Sequence, residues 1–239
     1  MSPARLPFHQ RLTWGVHLFG ALTRQRHTEM LPLLEQHVPK DGVIIDASAH
    51  KGQFAKLFAQ VVPQGHVYAF EPRSYARSII SRVIAVKKLA NVSLFPVGLG
   101  NSPSRTPTND SGRGSCPVMN GGGKSDEEKI PLTTLDQFSF RHNLQRVDFI
   151  KADIEGREMS FLLGAHHVIE KFRPILFLEI SKAPLQHTGD TAENVWNFLK
   201  ALNYSISRIE DNGQTLNAID VPITKGKIWC VAEERRKTV

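Results

Sequence analysis

An α/β fold is what this sequence predicts: a mostly parallel central sheet, helices on both faces and an antiparallel strand pair at the C-terminal end. Three observations predict it. From residue 43 onward, short apolar runs alternate with segments of helical periodicity, the pattern that produces a parallel sheet covered on both sides. Four of those runs stop at an acidic residue, Asp46, Glu71, Asp153 and Glu179. The chain closes on two strand-like runs around an Asp211-Asn212-Gly213 turn.

Each element has its own justification. Residues 8–36 read as helical, because Leu12, Val16 and Phe19 fall at i, i+4, i+7 with Leu18 and Leu22 beside them. Arg11, Arg24 and Arg26 flank that stripe. The segment reads either as a helix packed on the main domain or as a basic amphipathic helix resting on a membrane surface through residues 8–26. Val43-Ile44-Ile45 is a strand ending at Asp46, and Phe54, Leu57, Phe58 and Val61 put a helix over 52–62. His66 to Phe70 is a second strand ending at Glu71. A basic-faced helix over 74–89 and a third strand, Val92 to Val97, follow. Leu99 to Glu128 holds Ser, Pro, Asn and Gly, including Gly121-Gly122-Gly123, and is expected as a long functional loop closing over an acceptor. Val147 to Ala152 is the next strand, running into Asp153, with a helix over 156–171. Pro174 to Ile180 is a fifth strand, and Val195, Phe198, Leu199 and Leu202 mark a helix over 190–202. Tyr204 to Ile209 and Lys227 to Ala232 form the closing pair.

The chain has 239 residues, 41% hydrophobic and 22% charged. That composition excludes a disordered chain, a collagen and a coiled coil. One domain over residues 41–239 is expected, with a helical extension over 1–40. The net charge of +7 fits acidic ligands, a membrane surface, nucleic acid or plain solubility. Cys116 and Cys230 are too few for a disulfide scaffold and have no metal-ligand spacing, so no metal site is expected and a reducing, cytoplasmic setting is. No apolar run is long enough to span a bilayer. The run Trp14 to Leu22 imitates a signal peptide, but His17 interrupts it.

Acidic strand ends point to the ligand edge of such a sheet. The first strand–helix turn reads Asp46-Ala47-Ser48-Ala49-His50-Lys51-Gly52. A dinucleotide loop wants glycine at the first two of these alternate positions, where Asp46 and Ser48 stand, and a carboxylate there repels pyrophosphate. No phosphate-loop motif occurs. An acidic residue there suits a ligand carrying an ammonium and a sulfonium, S-adenosylmethionine. Glu71 at the next strand end suits its ribose hydroxyls, as it would those of NAD.

At this point the chain resembles the FkbM-type methyltransferases, a branch of the Rossmann-like S-adenosylmethionine-dependent enzymes, over residues 43–234. The resemblance rests on the first loop, Phe70-Glu71-Pro72, Leu132-Thr133-Thr134-Leu135-Asp136, Arg173-Pro174 through Leu178-Glu179-Ile180 and, most specifically, K-x-D-x-E-G-x-E from Lys151 to Glu158. It implies a Rossmann-like methyltransferase fold and an O-methyltransferase acting on a hydroxyl of a small-molecule or glycan acceptor. Cofactor contacts are implied for Asp46, Ser48, Ala49, Gly52, Glu71, Pro72 and Gly98. Asp153 is placed beside the methyl group, as the base that removes or orients the hydroxyl proton. Glu155 shares that task or caps a helix, and Lys151 holds Asp153 charged or closes a buried ion pair. Glu179 and Lys182 are candidates for the acceptor pocket. Asp136 reads as fixing the turn after the long loop, and His166-His167 as structural. The family usually has Gly where Ser48 stands. Two other classes stay open. Arg73, Arg77, Arg82, Lys87 and Lys88 form a basic stretch that would suit a nucleic-acid-binding or RNA-methylating protein, although no RNA-binding motif accompanies it. Ser48 alone favours a degenerate fold that binds partners without cofactor.

Overall fold

The computed structural model describes residues 8–107, 129–181, 185 and 188–238. Helices α1 (Phe8–Thr23) and α2 (Leu31–His37) lead into strand β1 (Val43–Ala47). Then come α3 (Gln53–Val61), β2 (His66–Phe70), α4 (Ser74–Lys87) and β3 (Val92–Phe95). Three short strands follow, β4 (Gly98–Leu99), β5 (Ser104–Pro107) and β6 (Lys129–Thr133). The chain continues through α5 (Leu135–Arg141), β7 (Phe149–Ala152), α6 (Glu158–Gly164), α7 (His166–Phe172) and β8 (Ile175–Ser181). It ends with α8 (Ala192–Ala201), β9 (Tyr204–Ile209), β10 (Leu216–Ala218) and β11 (Lys225–Ala232).

Eight strands form one sheet in the order β3-β2-β1-β7-β8-β11-β9-β10. From β3 to β8 neighbours run parallel. β11 inserts antiparallel between β8 and β9, with β10 on the outer edge. The chain runs outward from β1 to β3 and then returns to β7 on the other side of β1. The β1/β7 boundary is therefore the switch in strand order, where a crevice opens at the carboxyl ends of the strands.

Strand residues alternate between two cores. Ile45, Ala47, Ile150, Leu176 and Leu178 pack with Phe138, Phe161, Leu162, Val168 and Leu199 of α5 to α8. Ile44, Val67, Phe149, Phe177 and Trp229 pack with Leu34, Phe54, Phe58 and Ile80 of α2 to α4. Period-two alternation in a strand covered on both faces produces this division.

Several boundaries differ from the sequence reading. The single helix expected over 8–36 is two, interrupted by a short turn at Thr28–Met30. The buried Lys56 ammonium donates to the Ala21 and Arg24 carbonyls at 2.6 and 2.8 Å, ending α1 there. His27, at φ 64, then redirects the chain. Leu12, Val16 and Phe19, the stripe that periodicity singles out, stand 65–68% exposed. It is Trp14, Leu18, Ala21 and Leu22 that pack on Ile79 and Val83 of α4. The helix expected over 156–171 breaks at Ala165 into α6 and α7. The two ends of the long loop are strands, with β5 antiparallel to β6 and β4 parallel to it. Residues 108–128, the middle of that loop, lie outside the described residues, as do Lys182 and Cys116.

Candidate active site

Two adjoining concavities occupy the switch point. The first is lined by Ser48, Glu71, Pro72, Gly98, Leu99, Ile130, Leu132, Ile154 and Glu155, with Arg73 and Arg157 at its edge. The second is a cleft of about 650 Å³ between α1 and the β1–α3 loop. Its walls include Val16, Phe19, Arg24, Arg26, His27, Ala49, His50 and Lys51 from above, and Lys151, Asp153 and Glu155 from the end of β7. Ser48 and Glu155 line both, so the two spaces meet between them.

The first pocket has the chemistry of a nucleoside site. Its walls are mostly apolar, and one buried carboxylate, Glu71, stands at the end of β2. Glu71 accepts from the N–H of His50 and of Arg73, each at 2.8 Å, one on each oxygen. Those bonds orient it and leave a lone pair on each oxygen for ribose hydroxyls. Burial raises its carboxyl pKa, against the two N–H bonds that lower it. A Cβ on Gly98 would lie 2.7 Å from Leu132 Cδ2 and 3.5 Å from Pro72 Cγ, so a side chain there would push on two pocket walls. These features fit the adenosine end of S-adenosylmethionine, and the junction at Ser48 faces the cleft where its methionine end would lie.

The β1–α3 loop is built from unusual backbone. Ser48 and His50 sit at φ 66 and 54, and Gly52 at φ 84. A Cβ on Gly52 would come within 2.9 Å of Ile80 Cγ1, so its glycine is required twice over. Lys151 holds the loop from beneath. Its ammonium donates to Ala47 O at 3.1 Å and Ser48 O at 2.8 Å, and pairs with Asp46 Oδ1 at 3.4 Å. Lys151, expected among the catalytic groups, is only 2% exposed and its ammonium is committed to the loop. Asp46 is fully buried and lines neither concavity. Burial raises its pKa, with Lys151 opposing.

The turn after β7 is clamped the opposite way. Glu155 sits at φ 54 and Gly156 at φ 96. The buried Glu158 carboxylate accepts from the N–H of Gly156 at 3.2 Å and of Ile154 at 3.4 Å, while its Oε2 has no partner among the described residues. Burial pushes the Glu158 carboxyl up to about 7. Glu155 pairs with Arg73 at 3.7 Å, and burial raises its pKa against that partner. Asp153 is half-buried in the cleft and, among the described residues, has no hydrogen bond or ion pair.

Three of the four acidic strand ends are thus offset: Asp46 by Lys151, Glu71 by backbone N–H groups, and Glu179 on β8 by Lys227 opposite it. Asp153 is the exception, open to the cleft. Glu179 is raised by burial and then by Asp153, and lines neither concavity. Asp136 accepts from the N–H of His167 and Val168, so it caps α7. Of the basic stretch along and beside α4, Arg73 is paired with Glu155, and Arg77 donates to the Glu71 and Pro72 carbonyls. His50, Arg73 and the clamp by Glu158 are the contributions that sequence reasoning missed. His50 lines the cleft, and its imidazole is pushed down to about 4 by burial and Lys51, so it stays neutral.

Comparison with known proteins follows the same geometry. The methyltransferase FkbM domain family matches residues 46–206, more than half of the chain. Methyltransferase 1 of Beauveria bassiana is 25% identical over 147 residues, 53% of this chain and 59% of that one. The 2-O-methyltransferase NoeI of Sinorhizobium fredii is 23% identical over 176 residues, 66% of this chain and 70% of that one. The chain spans 59–62% of the length of the first two curated relatives it matches. Among solved structures, methyltransferase FkbM from Methylobacillus flagellatus superposes with a TM-score of 0.56 at 14% identity, covering 93% of this chain and 60% of that one. A Streptococcus mutans protein described as a methyltransferase, in complex with S-adenosylhomocysteine, gives 0.52 at 14% identity, covering 87% and 99%. These superpositions establish a shared Rossmann-like methyltransferase fold.

Proposed function

Because the chain belongs to the methyltransferase FkbM domain family, we propose that it is an S-adenosylmethionine-dependent O-methyltransferase acting on a hydroxyl of a small-molecule or glycan acceptor. The observation that carries this reading is the junction of the two concavities. An apolar-walled pocket with a buried carboxylate opens, between Ser48 and Glu155, onto a cleft that holds Asp153, whose carboxylate has no partner among the described residues. The name of the NoeI relative, a 2-O-methyltransferase, supports oxygen as the receiving atom.

Glu71, Ser48, Pro72, Gly98 and the apolar wall of Leu99, Ile130 and Leu132 would hold the cofactor. Bound there, S-adenosylmethionine supplies an electrophilic methyl group on a good leaving sulfur. The protein's task is then alignment and proton removal. Asp153 would accept the proton of the acceptor hydroxyl as that hydroxyl's oxygen takes the methyl group and the sulfur leaves with the electron pair of the broken carbon–sulfur bond. Arg73 holds the Glu155 carboxylate at the junction, where it faces the same hydroxyl. Lys151 serves at one remove, by fixing the Ala47 and Ser48 carbonyls and hence the loop that closes the pocket.

Thermal unfolding with and without S-adenosylhomocysteine tests the cofactor half. At ~100 times its dissociation constant the ligand adds about 2.7 kcal/mol, or about 5–10 °C for a chain of this size. Glu71→Gln, which keeps the side chain's shape, should lose most of that shift. A wild-type protein that shows none at millimolar ligand counts against the reading. Transfer of labelled methyl from S-adenosylmethionine to glycan or polyol pools then tests the acceptor half.

A further inference from the structure

Helix α1 is apolar on two opposite faces. Trp14, Leu18, Ala21 and Leu22 face α4. On the other side Leu12, Val16 and Phe19 stand 65%, 65% and 68% exposed, at i, i+4, i+7. Seven large hydrophobic side chains are exposed among the described residues, and three of them form this single stripe. Isolated exposed apolar residues need no explanation, but a row of them marks a contact surface.

The surroundings of the stripe say what it contacts. Residues 1–28 hold four arginines, Arg5, Arg11, Arg24 and Arg26, and no carboxylate. Arg11 is exposed beside Leu12, and Arg24 and Arg26 are exposed just past the other end of the helix. Among the described residues, no carboxylate pairs with any of these three or with Lys51. A second protein surface would have to supply several carboxylates around an apolar strip. An anionic bilayer supplies both features at once, with acyl chains for the stripe and headgroups for the arginines. No helix among the described residues is long and apolar enough to cross a membrane, so α1 would lie along the surface.

Helix α1 is also rigidly mounted. Trp14 Nε1 donates to Ser78 Oγ at 2.8 Å, and His17 Nδ1 is 2.7 Å from the Tyr75 hydroxyl. Lys56 holds its last carbonyls, and Gln25 and Arg26 are tied to Gln53. These bonds hold the packed face on α4 and α3, so the stripe faces outward without the helix having to move. Val16 and Phe19 belong both to the stripe and to the wall of the cleft that holds Asp153.

From these observations we propose that α1 docks the protein on an anionic lipid surface through Leu12, Val16 and Phe19, with Arg11, Arg24 and Arg26 among the headgroups. On the methyltransferase reading above, the cleft mouth then opens at the membrane, and an amphiphilic acceptor presents its hydroxyl to Asp153 from the bilayer.

Flotation of the full chain tests the docking, with vesicles of equimolar phosphatidylglycerol and phosphatidylcholine against vesicles of phosphatidylcholine alone. The wild type should float with the anionic vesicles, less so at high salt. Leu12→Glu should reduce that partition by about tenfold or more, the expected effect of losing one buried leucine at a membrane surface. Leu12 is exposed and lies outside the cleft, so this variant should keep the wild-type unfolding temperature. Equal partition of wild type and Leu12→Glu, or no partition of either, overturns the proposal. So does a dimer in analytical ultracentrifugation that Leu12→Glu splits, because the stripe then belongs to a second copy. The thermal shift with S-adenosylhomocysteine is read separately. A protein that floats but binds no cofactor sinks the enzymatic reading and leaves the docking in place.

Discussion

The turns that follow β1 and β7 face each other across the switch point and solve one problem with opposite charges. Both bend through left-handed backbone at non-glycine residues, Ser48 and His50 in one and Glu155 in the other. Such residues cost roughly 1–2 kcal/mol each and persist only where the surroundings enforce them. In the first turn a buried ammonium, Lys151, gathers carbonyls. In the second a buried carboxylate, Glu158, gathers N–H groups. The lesson is that a strained turn can be held by either half of the peptide group. The carboxylate clamp also makes the second turn sensitive to pH, because burial pushes the Glu158 carboxyl up to about 7.

The comparison breaks most severely at its cation. Lys151→Met should cost about 3–5 kcal/mol by chemical denaturation, because Asp46 is left buried without a partner. Adding Asp46→Asn should recover most of that stability but not the affinity for S-adenosylhomocysteine, since the loop carbonyls stay unheld. Full recovery of affinity would show that Lys151 merely neutralises Asp46.

Asp153→Asn sharpens the division of labour between the turns. Turnover should fall about 10³-fold, or roughly 4 kcal/mol of barrier, while the cofactor-induced thermal shift persists. A variant that loses both would move Asp153 from the reaction to binding.

The carboxylate clamp should show itself in pH. Folding raises the Glu158 pKa to about 7, so the native state holds this proton more tightly than the unfolded chain. Stability from this group is therefore complete at acid pH and falls as pH rises from ~4.5 to ~7, then levels off. Glu158→Gln removes the titration. Relative to wild type it should gain about 2 kcal/mol between pH 5 and pH 8, measured by urea unfolding at each pH. A parallel pH profile for the two proteins would refute the assignment.

The smallest effect belongs to Ser48. Ser48→Gly relieves a left-handed residue and should add about 1 kcal/mol of stability. Cofactor affinity should hold or improve, which calorimetry can read.

Much of this was open to sequence reasoning, and the gaps have physical causes. The central strands are legible because buried parallel strands are continuous apolar runs between helical periods. The four acidic strand ends are legible for the same reason, since they close those runs. Periodicity finds the apolar stripe of α1 but leaves open whether it packs on the domain or rests on a membrane surface, because it cannot rank two opposite apolar faces of one helix. The break after Thr23 depends on Lys56, which no local pattern connects to it. Helix α5 and strands β4 to β6 are too short for periodicity to register. Glu158 stands in the most specific motif of the chain, yet its role as a clamp on the turn before it appears only with the backbone in place. The Arg73 pairing with Glu155 joins strand ends far apart in sequence, and no spacing rule announces it.

Asp46 and Lys151 are also direct neighbours in the β1–β7 ladder. Shifting β7 by one position would turn Lys151 to the opposite face of the sheet, into the core of α5 to α8, and leave both charges buried alone. The pair therefore acts as a key for strand alignment: these two strands assemble in one register, and the misaligned pairings that apolar Phe149-Ile150 would tolerate are penalised by several kcal/mol. The contact that shapes the β1–α3 loop also proofreads the centre of the fold.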